Sequence, residues 1–178
     1  MEWTGQVYAD TPVVAVQIDI EAPPERVWPL VSDIFLMPGL SGELQEVAWL
    51  DGVTGPAVGR RFAGRNANAA LGSWETVSTV IECDEPRCFA WAVGDPAHPS
   101  TTWRFTLRPD GPDGAGPDMA GTVLEQWMQM GPARSGLSLA IDAMPDKEAK
   151  IVFVRLRELE GCMTRNLAAI KKLAERAP

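Results

Sequence analysis

The chain has a single histidine, His98. It sits in the turn-like stretch GDPAHPS, so a metal site built on several histidines is impossible. A Ser-His-Asp triad would have to use that one residue, and no GxSxG motif accompanies it. CxxC pairs are absent, as are the phosphate-binding patterns GxxxxGKS/T and GxGxxG. No metal and no cofactor is therefore expected. Cysteine is scarce and odd in number: Cys83, Cys88 and Cys162. With no export feature in MEWTGQVYAD, they are expected as buried small apolar residues in a reducing cytoplasm. A Cys83–Cys88 bridge would have to join neighbouring strands. Long apolar runs are missing too, since none reaches the roughly 18 residues of a membrane span. Positive charge is in deficit, and a net charge of −8 argues against nucleic acid or anionic membrane as partners.

What is present is ordinary globular material. At 178 residues and 46% apolar content, the chain is long enough for one domain, 1–178, with a sizeable core. An N-terminal arm, 1–12, is expected to be loosely ordered. From there the apolar residues alternate: Val14, Val16, Ile18 and Ile20 on one side, Ala15, Gln17, Asp19 and Glu21 on the other. That is the two-residue period of a half-buried strand. Pro23 and Pro24 close the ladder, because proline cannot donate to it. Pro24 then suits the first turn of a helix over about Pro24 to Ser32, which carries Val27, Trp28 and Val31. A short second helix or turn follows through Ile34 to Met37 and breaks at MPGLSG.

From Glu43 to Gly131 the sequence reads as six strands with short turns, an antiparallel meander. They are ELQEVAWLD, GRRFAGRNAN, SWETVSTVIE, CFAWAVG, TTWRFTLRP and TVLEQWMQM. The Gly/Pro/Asp-rich segment DGPDGAGPDMAG interrupts them as a long loop. After Pro145 the period becomes helical. Val152, Leu156, Leu159, Met163, Leu167, Ile170 and Ala174 make one stripe at steps of three and four. Gly161 inside that helix has two readings, close packing against a neighbour or a notch over a cavity.

The order is strand, two short helices, six strands, long helix. The stretches IEAPPERVWPLVSDI, VGRRFAGRN with Trp74 following, VIECDEPRCFAW and TTWRFTL, with the long terminal helix, resemble the START-like helix-grip superfamily. In particular they resemble its bacterial polyketide cyclase/dehydrase branch, often called SRPBCC. The resemblance covers about Val13 to the end. It implies an α+β helix-grip fold: a curved seven-stranded antiparallel sheet wrapped around a long C-terminal helix, with two short helices between strands 1 and 2. It implies no catalytic residues, because the superfamily has no universal signature, and scaffold alone does not fix function.

Alternation places Phe89, Trp91 and Val93 on the inner face, with Trp103, Phe105 and Leu107 beside them. Phe62 and Trp74 extend this aromatic wall, and Trp28 seals one end. Asn66 and Asn68 share phase with Phe62, and Thr76 with Trp74. The interior is either a packed core or an apolar ligand pocket with a few orienting polar groups. The last strand reads two ways. Either Glu125 and Trp127 face inward, or Leu124, Gln126, Met128 and Met130 do. An inward Glu125 would be a general acid or base with a raised pKa. Between sheet and long helix, Leu137, Leu139, Ile141 and Met144 suggest a lid, with Arg134, Ser135 and Asp142 either meeting a ligand or capping a turn. Met128, Met130 and Met144 suit varied apolar guests.

Three functions fit. A binder or carrier would hold a small hydrophobic or aromatic molecule, lipid or polyketide-like, against Trp28, Phe62, Asn66, Trp74, Phe89, Trp91, Trp103, Phe105, Met128, Met130 and Met144. A cyclase or dehydratase would add proton transfer, with Asn66, Glu125 and Asp142 as the weak catalytic candidates. An interaction module would have a filled cavity and act through a protein contact. Oligomeric state is not legible, so a homodimer stays open.

Overall fold

The computed structural model describes residues 1–69, 72–110 and 121–176. Most of the segment expected as a long loop, 111–120, lies outside them. Strand β1 (Val13–Ile20) turns Val14 and Ile20 into the core and leaves Val13, Ala15, Gln17 and Asp19 exposed. It stops short of the two prolines. Helix α1 (Pro24–Ser32) starts on Pro24 and buries Val27, Trp28 and Val31. The Asp33 carboxylate accepts the Phe35 N–H at 2.9 Å and so starts a 3-10 turn, Ile34–Leu36. A one-turn helix, α2 (Met37–Leu40), completes the connection to β2 (Leu44–Trp49).

The remaining strands are β3 (Arg61–Asn68), β4 (Gly72–Asp84), β5 (Cys88–Asp95), β6 (His98–Asp110) and β7 (Gly121–Met130). All neighbours are antiparallel, in the order β1-β7-β6-β5-β4-β3-β2. Consecutive strands β1 and β2 thus occupy opposite edges, and α1 and α2 carry the chain from one edge to the other. Helix α3 (Gly136–Ala143) follows β7, and α4 (Glu148–Arg176) ends the fold.

All seven residues of the expected stripe on α4 are buried. Each fully buried Leu, Ile or Met contributes about 1.5–3 kcal/mol. The stripe divides between two clusters. Leu167, Ile170 and Ala174 join Val27, Trp28, Phe89 and Leu124 at the α1 end. Val152, Leu156, Leu159 and Met163 join Val14, Met128 and Met130 at the other. The helix therefore rests mainly on β1, β7 and α1 and leaves the β3–β5 side of the concave face uncovered.

The arm 1–12 makes contacts with α4: the Trp3 ring meets Phe153 edge-on at 5.0 Å, and the Tyr8 N–H donates to Glu148 Oε1 at 2.9 Å. Two expectations need correction. The three cysteines are free, but only Cys88 is buried as expected, while Cys83 and Cys162 are half-buried. Arg104, by contrast, takes the outer face that its phase opposite to Trp103 implies, stacked over Trp127 and 3.7 Å from Glu82. Gly161 packs against no neighbouring element, and a β-carbon there would meet only Arg165 Nη1, at 3.5 Å.

Two glycines should respond oppositely to alanine. At Gly161 the substitution adds helix propensity in open space, and stability should rise by about 0.5–1 kcal/mol. At Gly121 the new methyl would lie 2.9 Å from the Ile20 carbonyl oxygen, across the β1–β7 ladder, and stability should fall by about 1–3 kcal/mol. Urea denaturation of the two variants checks both signs.

Candidate functional site

The uncovered part of the sheet and the underside of α4 enclose a cavity of about 970 Å³. Strand periodicity builds its wall. β3 contributes Phe62, Gly64 and Asn66, and β4 contributes Trp74, Thr76 and Ser78. Trp91 and Val93 come from β5, Thr101, Trp103 and Phe105 from β6, and Gln126, Met128 and Met130 from β7. From above, α4 adds Arg155, Leu159, Met163 and Ile170, while Leu137, Leu139 and Ala140 of α3 stand at the mouth. Leu139 is 71% exposed even so, and its side chain is the most open of the apolar lining.

Register sets the aromatic geometry. Trp91 pairs with Trp103, and Phe89 with Phe105. The two indoles stack with centroids 6.2 Å apart and planes 11° apart. Trp91 also lies 6.2 Å from Phe62 and 6.0 Å from Phe105, so its ring is the centre of the wall.

The predicted residues divide by position. Phe62, Asn66, Trp74, Trp91, Trp103, Phe105, Met128 and Met130 line the cavity. Trp28 and Phe89 do not. They meet edge to face at 6.4 Å inside the α1 cluster and close the end of the hollow from behind. Met144 lies outside as well, exposed at the end of α3. The proposed acid/base set is not assembled. Along β7, Thr122, Leu124, Gln126, Met128 and Met130 are buried, so Glu125 and Trp127 take the outer face. Asp142 is exposed and paired with Arg134. Asn66 alone is on the wall, where its Nδ2 donates to Gly64 O at 3.3 Å and Thr76 Oγ1 at 3.4 Å. His98 is exposed at the β5–β6 hairpin, and among the described residues no cluster of metal-binding side chains occurs.

Charge enters the lining at positions that the strand and helix periods do not single out. Arg155 of α4 makes a two-pronged pair with Glu43, Nη1 to Oε1 at 2.5 Å and Nη2 to Oε2 at 2.7 Å. Asn68 Nδ2 donates to the same carboxylate at 2.6 Å, so Asn68 serves the ion pair and not the cavity wall. The pair ties α4 to the start of β2. Burial pushes the Glu43 carboxyl up, but the hydrogen bonds and charge of Arg155, with Asn68, outweigh it and hold the carboxyl below its ordinary range. Arg155 could have been found, since it lies three residues after Val152 and four before Leu159, on the border of the apolar stripe. Glu43 gave no signal. Burial pushes the Tyr8 phenol up, and its hydroxyl donates to Ala133 O at 2.8 Å. On the outer face, burial and neighbouring Glu82 push the Cys88 thiol up to about 12, which makes it a poor nucleophile.

Among the described residues, one buried polar atom in the lining has no partner. Gln126 is 4% exposed, and its Oε1 accepts no hydrogen bond. Leaving such an acceptor bare costs about 1–3 kcal/mol.

The Glu43–Arg155 pair predicts a pH response. Because the folded Glu43 is held below its ordinary value of 4.5, its contribution is full above that value and is lost as pH falls through the lowered one. Glu43→Gln should destabilise the fold by about 1–3 kcal/mol at pH 7, by removing the closer of the two carboxylates that face the half-buried Arg155 guanidinium and leaving it only Glu158 at 3.3 Å. It should also flatten the acid limb of the stability curve. Urea midpoints of both proteins between neutral and acid pH check this.

Comparison with known proteins follows from this geometry. Residues 11–175 match a family model described as "Polyketide cyclase / dehydrase and lipid transport". A polyketide-cyclase-like protein from Corynebacterium glutamicum, solved by NMR, is 30% identical, covers 92% of this chain and 91% of its own, and superposes with a TM-score of 0.63. An aromatase/cyclase from a Streptomyces species shares 15% identity over 93% of this chain and 94% of its own, at a TM-score of 0.61. A START superfamily protein from Mycobacterium smegmatis shares 17% identity over 83% and 98%, at 0.51. These last two show the fold alone. No curated protein matches the chain. The match over nearly all of the described residues, together with the helix-grip architecture, makes this chain a member of the polyketide cyclase/dehydrase and lipid transport family.

Proposed function

We propose that this protein binds a small hydrophobic molecule with an aromatic part in the cavity under α4 and carries it. The observation that carries the reading is the stacked Trp91–Trp103 wall, open to a volume of about 970 Å³. That volume suits a drug-sized guest. Most of the lining is apolar, and its methionines adapt to guests of different outline. The ionised side chains half-buried in the lining, Glu43 and Arg155, are matched to each other, which favours a neutral guest over a charged one. Among the described residues no helix is long and apolar enough to cross a membrane. The three free cysteines support a reducing, cytoplasmic setting. The cavity is walled by one chain, so a homodimer is not needed to build it.

The alternative is a cyclase or dehydratase that folds a poly-keto chain and works by positioning. The polar row Asn66, Thr76, Ser78 and Thr101 on the wall favours it. The outward Glu125 and exposed Asp142 weigh against acid/base chemistry at the residues first considered.

Titration with the neutral fluorescent probe N-phenylnaphthylamine tests the binding reading. The wild-type protein should enhance its emission saturably, and Trp103→Leu should weaken binding roughly tenfold. Trp127→Phe, on the opposite face of the sheet, should leave it unchanged. Equal losses in both variants, or no saturable binding at all, would overturn the assignment of the cavity as the site.

A further inference from the structure

Among the described residues five polar side chains are buried: Ser32, Ser78, Thr122, Gln126 and Ser138. Three are satisfied by the chain itself. The Ser32 hydroxyl donates to Trp28 O, the Thr122 hydroxyl donates to Ala22 O, and Ser138 Oγ accepts the Ser135 N–H. The other two, Ser78 and Gln126, make no side-chain hydrogen bond to the described residues, and both line the cavity. Of the two buried side-chain atoms without a partner among the described residues, Arg104 Nε lies on the outer face near Glu82, and Gln126 Oε1 belongs to the cavity lining.

Gln126 is the deeper and more constrained of the two. On β7 it stands between inward-facing Leu124 and Met128. Its cross-strand partners are Val16 on β1 and Phe105 on β6. Those four neighbours are apolar, so none can supply a hydrogen. Its Oε1 can only accept, its Nε2 makes no hydrogen bond to the described residues either, and a half-turn of the amide presents either end to the cavity. Buried amides are retained in apolar surroundings when something completes them.

We propose that Gln126 is the polar anchor of the cavity and that the natural guest is a neutral aromatic molecule carrying a hydroxyl, a phenol above all. The guest enters hydroxyl first. Its O–H donates to Gln126 Oε1, its ring lies along the Trp91–Trp103 wall, and its trailing end faces the mouth at α3. This specifies the guest of the binding reading above and rests on that reading. It also explains why a hydrogen-bonding amide is held in an apolar row: a site built around a hydroxyl partner discriminates strongly against analogues that lack it.

The test compares three probes of one size, naphthol, methoxynaphthalene and methylnaphthalene, on wild-type protein and on Gln126→Met, by calorimetry or tryptophan quenching. The ratio of naphthol to methylnaphthalene affinity cancels the difference in probe hydration. It should fall roughly tenfold on going from wild type to Gln126→Met. Methoxynaphthalene, which cannot donate, should follow methylnaphthalene in both proteins. An unchanged ratio overturns the anchor while leaving the cavity reading intact. A methoxynaphthalene that behaves like naphthol overturns the hydroxyl assignment. Failure of all three probes to bind wild-type protein overturns the cavity reading, and the anchor with it. Should Gln126→Met not fold, the assigned side-chain amide resonances of Gln126 in labelled wild-type protein give the same answer. They should shift on adding naphthol and stay in place with methylnaphthalene, and equal shifts would overturn the proposal.

Discussion

One α-helix is about 10–12 Å across with its side chains, and seven strands spaced about 4.8 Å apart span close to three times that width. Where α4 settles therefore decides what is core and what is hollow. Its apolar stripe finds β1 and β7, whose inward residues Val14, Met128 and Met130 form a ready surface, and its last turns find α1. Once it lies there, the concave side of β3–β5 has no helix above it. The aromatic residues on those strands then become a wall instead of an interlayer.

That uncovered side must still be held at a fixed distance from the helix. The Glu43–Arg155 pair does this from the β2 edge, across 112 residues of sequence, with Asn68 completing the carboxylate. A buried pair is weak evidence for stability, because desolvating two charges offsets much of their attraction. Its directional value is clearer. Two parallel hydrogen bonds from a planar guanidinium fix both the rotation of α4 and its height above β2.

Much of this could be read from the sequence, for reasons that are local. The period of Val14 to Ile20, the prolines at 23 and 24, and the stripe from Val152 to Ala174 each report a backbone conformation directly, and the elements appear where they point. Wall residues such as Trp91 and Trp103 were legible because phase along a strand tells inward from outward. Phase does not tell how far along the hollow a residue lies. Phe89 has the same phase as Trp91, yet it packs under Trp28 beyond the end of the cavity. Glu125 was undecidable until the alternate burial of β7 fixed its face. Glu43 was invisible because its meaning comes from Arg155, and Gln126, on one of the two possible inward phases of β7, carried no sign of being unpartnered. Those last facts belong to tertiary packing, which no short stretch encodes.

The placement of β1 and β2 at opposite edges has a further consequence. Residues 21–43 form a strap that joins the two rims of the curved sheet, and the strap touches the hollow only near its end, through Met37, Leu40, Ser41 and Glu43. Like a hoop on a cask, its length sets the bore. A chain of this build can be refitted for a bulkier or slimmer passenger by adding or removing residues in the strap, with every stave of the barrel wall left as it is.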